Sequence, residues 1–182
     1  MPDFYEVLKT RRSVRAYTDR PVAENELKEL IDLAAWAPSG NNQQPWTFTV
    51  ITNRGLMDQL NDRVKATLRE SPDPYFAKYA NDPAYHIFYQ APALILIHGD
   101  VQTPSAMIDC QLAIENLFLA ARARGLGTCY MGFLLLAADD PQVRQLLRVP
   151  DGRRLMAATV IGSPAAAVPA PPRKAVQIEW VR

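Results

Sequence analysis

Cysteine is scarce in this chain: the 182 residues hold two, Cys110 and Cys129. Neither belongs to a CxxC pair and no histidine lies close to either, which argues against a disulfide framework or a structural zinc site. Histidine is as sparse, with only His86 and His98. No Ser/His/Asp arrangement and no carboxylate pair stands out, so no catalytic side chain and no metal ligand is assigned. The eight glycines form no G-x-G-x-x-G fingerprint, and a Rossmann dinucleotide unit is not expected. No stretch approaches the ~18 uninterrupted apolar residues of a membrane span. The N-terminus, Met1-Pro2-Asp3-Phe4, places an acid early and is not a secretory signal. A cytoplasmic protein is expected. Charge of one sign is missing too: 20 Lys and Arg stand against 19 Asp and Glu. That balance offers no electrostatic footprint for nucleic acid or an anionic membrane, so anion recognition must come from local clustering.

What is present fits one domain over residues 1–182, long enough to bury a core. Hydrophobic residues make up 48% and charged residues 21%, ordinary for a globular chain. A first helix is expected from Asp3, which has capping-box spacing to Glu6, to about 9–11. A second covers about 24–36, with Leu27, Leu30, Ile31 and Ala34 on one face, and stops at Pro38-Ser39-Gly40. Residues 46–52 read as a strand. A third helix, capped by Asn53, runs over 54–69. Residues 71–90 carry Pro72, Pro74 and Pro83 among six aromatics and read as irregular. Residues 93–99 are almost continuously apolar and predict a central strand. The clearest helix starts at Thr103-Pro104 and ends at a Gly125 cap. It is apolar nearly all round, which predicts burial. Residues 157–161 form a last internal strand. Residues 163–172 read as an extended Pro/Ala connection, and 176–181 as a segment that packs against something. The irregular alternation of elements predicts an α+β fold.

Four segments can carry chemistry. Arg11, Arg12, Ser13 and Arg15 put three guanidinium groups and a hydroxyl just past a helix, a set suited to a phosphate monoester. The competing reading is a basic helix end stabilised by the macrodipole. Residues 37–46 (Ala-Pro-Ser-Gly-Asn-Asn-Gln-Gln-Pro-Trp) hold four consecutive side-chain amides, donors and acceptors for a uracil-like edge or simply a polar loop bonding its own backbone. Residues 125–132 hold three glycines, permitting close backbone approach; spacing alone favours a helix cap followed by a turn. Arg173, held behind Pro171 and Pro172, is either an extra phosphate ligand or a solvated charge. The aromatics from Tyr75 to Tyr89 serve equally for stacking on a flat acceptor or for packing under a long loop.

Taken in order, these segments resemble the nitroreductase family of FMN enzymes. The match consists of Arg11-Arg12-Ser13-Val14-Arg15, Ala37-Pro38-Ser39 with Asn42 and Gln44-Pro45-Trp46, Ala91-Pro92, Asp109-Cys110 with Glu115-Asn116-Leu117, Gly125-Leu126-Gly127-Thr128 to Gly132, Ile161-Gly162-Ser163-Pro164, and Arg173. It spans nearly the whole chain. The resemblance implies a mostly antiparallel central sheet flanked by helices and an interlocked homodimer with FMN at its interface. It implies that Arg11, Arg12, Ser13 and Arg15, helped by Arg173, bind the phosphate end. Pro38, Ser39, Gly40, Asn41 and Asn42 would reach the flavin of the partner chain, and the backbone at Met131 and Gly132 would approach N5. NADH or NADPH would be the co-substrate, and nitroaromatics, quinones or related small acceptors the oxidants, in a ping-pong cycle. Specialised members fragment flavin, dehalogenate or oxidise rings, and a flavin-binding module without turnover is the rival outside the enzymes. The chain departs from better-studied branches, which place an Asn and a Lys near the flavin pyrimidine just upstream of the central strand. Residues 84–87 offer neither there, and residues 71–89 lack the Glu/Tyr/Lys lid of the dehalogenating branch.

Overall fold

The apolar run becomes β2 (Ala93–Asp100), whose side chains through Gly99 are all buried. The computed structural model describes residues 3–182. β2 lies inside a four-stranded sheet of order β1-β2-β4-β3, with β1 Trp46–Ile51, β3 Gly127–Tyr130 and β4 Arg153–Gly162. Every pairing is antiparallel, and a bulge falls between Ile97 and His98. Because side chains alternate across a strand, β2 feeds two cores. Leu94 and Leu96 join α3 (Arg54–Arg69), α4 (Pro74–Asn81), α6 (Gly132–Leu136) and α7 (Pro141–Leu147) on one face. Ala93, Ile95 and Ile97 meet α2 (Glu24–Ala34) and α5 (Ala106–Ala123) on the other. A sheet covered on both faces needs such a continuous apolar strand.

Helix α1 (Phe4–Thr10) starts on Asp3, whose carboxylate accepts from Tyr5 N at 2.7 Å. Asn53 caps α3 through Leu56 N at 2.8 Å. Two expectations move. Residues 71–90 contain helix α4: Asp73 caps it and Pro74 sits in the first turn, where a missing N–H costs nothing. Asp140 and Pro141 start α7 in the same way. Helix α5 begins at Ala106 rather than at Thr103-Pro104, because Thr103 first closes a turn with Ala106 N at 3.0 Å. Its all-round apolarity is only half buried. Cys110, Ile114 and Leu117 face the core, while Met107, Ile108 and Leu112 are exposed. Beyond β4 the chain has no further helix or strand, and Val176, Ile178, Trp180 and Val181, expected to pack, are exposed. Among the described residues no helix is long and apolar enough to cross a membrane.

Candidate functional site

The basic turn is held in place by the edge of the sheet. Ser13 forms a parallel bridge with Thr128, and Val14 N donates to Thr128 O at 2.9 Å. Farther along, Thr18 N donates to Ser163 O and Ala165 N to Ala16 O. Residues 13 and 14 thus cover edge strand β3, and residues 16–18 pair with the segment that leaves β4. Gly127 makes this possible: a Cβ there would lie 2.6 Å from Val14 Cγ2. The glycine-rich stretch is therefore a helix cap at Gly125, in the left-handed region at φ 77°, followed by a short strand rather than a turn.

The three arginines divide their work. Arg12 folds back on the end of α1, donating to Lys9 O at 2.8 Å and Arg11 O at 2.7 Å. The macrodipole reading is correct for part of this side chain. Its Nε, however, is buried with no partner among the described residues. Arg11 lies 3.6 Å from Glu115 and stacks over Phe118; burial pushes the Glu115 carboxyl up, and Arg11 opposes this. Arg15 is exposed, with a long contact to Ser13 O and the Tyr89 hydroxyl beside it. Arg173, far off in sequence, joins Arg11, Arg12, Ser13 and Arg15 around one cleft of about 340 Å³. Four guanidinium groups and a hydroxyl, one donor of them buried and unpaired, suit a dianionic phosphate.

Arg15 also lines a second cleft of about 340 Å³, and links the two. This cleft is walled by Tyr75, Tyr79, Tyr85, Tyr89 and Phe133 and reaches Met131 and Gly132. Its rings touch edge-on or tilted, with Tyr79–Tyr85 centroids 4.9 Å apart and Tyr79–Phe133 5.5 Å. The aromatic cluster is thus both packing and the wall of a cleft. Met131 N is spent on Ala158 O at 2.9 Å. Gly132, exposed and with nothing within 4 Å of a built Cβ, heads the first turn of α6. Its N–H is one of the orphan donors of a helix start, so of the two residues it is the backbone donor open to this cleft.

Tyr85 Oη and Tyr89 Oη are 3.0 Å apart. Burial pushes the Tyr85 phenol well above its ordinary range, with Tyr89 adding to it. Partial burial works to lower the Arg15 pKa, but its neighbours Cys129, Tyr89 and Tyr85 raise it overall. The segment carrying these tyrosines is pinned from α3. Buried Lys65 donates to Asp82 O at 2.6 Å and Tyr85 O at 2.9 Å, and Asn61 Oδ1 accepts from Ile87 N at 2.9 Å. Tyr89 and Gln90 both lie in the left-handed region, at φ 52° and 55°, at a cost of about 1–2 kcal/mol each. Sequence reasoning missed Asn61 and Lys65. Their i, i+4 spacing inside the apolar face of α3, between Leu60, Val64 and Leu68, was the available signal.

The amide loop does not join either cleft within one chain. Gly40 N donates to Asp109 Oδ1 at 3.2 Å, and Ser105 Oγ donates to Asp109 Oδ2 at 2.8 Å, so the loop is bolted to the start of α5. Ser39 Oγ accepts from Gln44 N at 3.0 Å, and Gln44 Nε2 donates to Asn42 Oδ1 at 3.0 Å. Part of the loop bonds itself, as a polar loop would. Pro38, Gly40, Asn41 and Asn42 are exposed, with Asn41 and Asn42 in the left-handed region. His86 is half-buried between Asp58 at 3.2 Å and Phe88 N at 3.1 Å, away from both clefts. Cys110 and Cys129 are free and buried, and burial pushes Cys110 up to about 12. No cluster of His, Cys, Asp or Glu able to hold a metal ion occurs among the described residues.

The model of the Nitroreductase family matches residues 8–163. A 4-nitrobenzoate reductase of Nocardioides sp. is 31% identical, over 87% of this chain and 79% of that protein. An iodotyrosine deiodinase of Thermotoga neapolitana is 25% identical, over 99% and 98%. Among solved structures, a nitroreductase with bound FMN from Bacteroides fragilis superposes with a TM-score of 0.91 at 31% identity, covering 100% of each chain.

Proposed function

The chain belongs to the nitroreductase family, and on that premise we propose that it is an FMN-dependent oxidoreductase using NADH or NADPH. FMN, held by Arg11, Arg12, Ser13, Arg15 and Arg173, would supply hydride transfer at N5 between the nicotinamide and nitroaromatic, quinone or related acceptors in a ping-pong cycle. The observation that carries the proposal is a pair of clefts that share Arg15. A phosphate-suited cradle of Arg11, Arg12, Ser13 and Arg173 lies on one side of it and an aromatic-walled cleft that includes Gly132 on the other. A phosphate monoester joined to a flat ring needs that sequence of surroundings. The unpaired Arg12 Nε and the solvent-facing Arg15 are donors such a ligand would use. The Gly132 N–H would face N5. No side chain acts as nucleophile; this chain's residues bind, orient and exclude water.

The site is completed, in this reading, by a second copy. Residues 38–42 of the partner would cover the flavin, since within one chain they line neither cleft. The exposed apolar residues support an interlocked homodimer: Phe4, Tyr5 and Leu8 on α1, Met107, Ile108 and Leu112 on α5, and Trp180 in the tail. Such a concentration of apolar surface marks an interaction face.

The test begins with colour. The purified protein is expected to be yellow and to release FMN rather than FAD. A colourless preparation that gains no flavin signal on adding FMN overturns the proposal. Anaerobic mixing with NADH and NADPH is expected to bleach the flavin; if neither does, a binding module without turnover replaces the enzyme. A dehalogenating specialist is the second reading, favoured by the deiodinase likeness and by the tyrosine-walled cleft. A panel of nitro, quinone and halogenated aromatic acceptors separates the two.

A further inference from the structure

We propose that the hydroxyls of Tyr85 and Tyr89, together with Arg15, hold the pyrimidine edge of FMN and favour its reduced form; this rests on the FMN reading above. Covalent structure places the residues. The ribityl phosphate leaves the flavin from N10, which is flanked by the apolar benzo ring on one side and by N1 and the C2 carbonyl on the other. Arg15 lines both the phosphate cleft and the ring cleft, so it stands beside that junction. The side chains next to it include Cys129, Tyr89 and Tyr85. A cation beside two hydroxyls matches the polar side of the junction and not the benzo side.

The hydrogen-bond inventory agrees. Two hydroxyls carry two hydrogens, and the 3.0 Å Tyr85–Tyr89 contact uses one, leaving one O–H for which the neighbouring Cys129 sulfur and a ligand in the cleft compete as acceptors. Arg15 adds N–H donors, whose contacts among the described residues are the long 3.5 Å one to Ser13 O and the neighbouring Tyr89 hydroxyl. Reduction places negative charge on the N1–C2 edge, and a cation with a neutral O–H donor beside it stabilises that charge more than the uncharged oxidised edge. The raised Tyr85 pKa keeps its phenol protonated. The donors are also fixed in advance. Lys65 and Asn61 hold the backbone on either side of Tyr85, and Arg54 Nη1 donates to Gln90 O at 3.2 Å just past Tyr89. These tyrosines stand in for the Asn and Lys that residues 84–87 lack.

The experiment compares wild type, Tyr89→Phe and the Tyr85→Phe/Tyr89→Phe pair, which keep both rings and remove only hydroxyls. FMN affinity is read by fluorescence quenching, and the midpoint potential by equilibration with a redox dye. The double variant is expected to bind oxidised FMN about threefold to tenfold more weakly, the worth of one hydrogen bond. Its preference for the reduced form should fall about tenfold further, which for a two-electron couple is a potential about 30 mV more negative. A second measurement needs no variant: wild type should bind 1-deaza-FMN, which lacks the N1 acceptor, several-fold more weakly than FMN. If wild type binds FMN but the variants match it in affinity and potential, or the two flavins bind equally, the edge assignment is overturned while the FMN reading stands. If wild type binds no FMN, both fall.

Discussion

His98 offers a prediction whose size follows from its surroundings. Its ring sits on β2 at the bulge, fully buried, with neither Nδ1 nor Nε2 bonded to protein among the described residues. Burial lowers its pKa from 6.5 to about 4, and the cations Arg153 and Arg144 push the same way. The unfolded chain therefore takes up a proton below about pH 6.5 while the fold resists it until near pH 4. A depressed histidine of this kind leaves stability intact above pH 6.5 and removes it as pH falls toward 4. At about 1.4 kcal/mol per pH unit, the gap caps the loss at about 3 kcal/mol, of which about 2 kcal/mol is gone by pH 5. His98→Leu fills a similar volume without the orphan nitrogens. At pH 8 it is expected to stabilise the fold by about 1–2 kcal/mol, the cost of desolvated polar atoms left unbonded. By pH 5 the advantage should widen by about 2 kcal/mol more. Urea unfolding of both proteins at pH 8 and pH 5, at one protein and one FMN concentration, measures this. Other groups that titrate in this window, His86 among them, are common to both proteins and drop out of the difference. A variant less stable than wild type at pH 8, or an advantage that does not change with pH, refutes the reasoning.

Arg11→Ala and Arg173→Ala should each weaken FMN binding about tenfold to a hundredfold, the range of a charge-assisted hydrogen bond, and unchanged affinity by fluorescence titration would remove that residue from the cradle. Gly127→Ala should cost about 1–3 kcal/mol through overpacking against Val14 and loosen FMN along with the basic turn; thermal melts and titration read both, and Val14→Ala on the same background should restore part of each. If the proposed homodimer forms, deleting residues 175–182 should shift it toward monomer in sedimentation, whereas an unaltered dimer would show that the exposed tail is no part of the interface.

Much of the fold was legible because local chemistry and burial agreed. Asn53 capping α3, the apolar run of β2 and the Gly125 cap each depend on a few adjacent residues. Helices α4 and α7 open on the same dipeptide. Pro74 makes residues 71–90 read as irregular, and residues 137–147 carry no reading at all, but Asp73-Pro74 and Asp140-Pro141 are each a cap followed by a first-turn proline. Strand β3 was illegible for a different reason. Four residues, Gly127–Tyr130, have no pattern of their own and become a strand only by pairing with β4.

The site divides in the same way. Which chemical groups are available is a property of the chain: arginines 11, 12 and 15, Ser13, the amide loop and Arg173 are visible as a list in order. Which of them meet is not. Only folding brings Arg173 to the basic turn, sends Arg12 partly back onto α1, and bolts the amide loop to Asp109 and away from both clefts. For the pyrimidine edge the amide loop was the candidate in the sequence and the tyrosines were not, because a tyrosine ring reads as stacking surface or packing until its hydroxyl is seen to face something. Lys65 and Asn61 turn residues 82–89 so that two hydroxyls lie beside Arg15. Side-chain type and local periodicity are written in sequence. The convergence of side chains far apart in the chain is decided by packing, since it depends on every element between them finding its place.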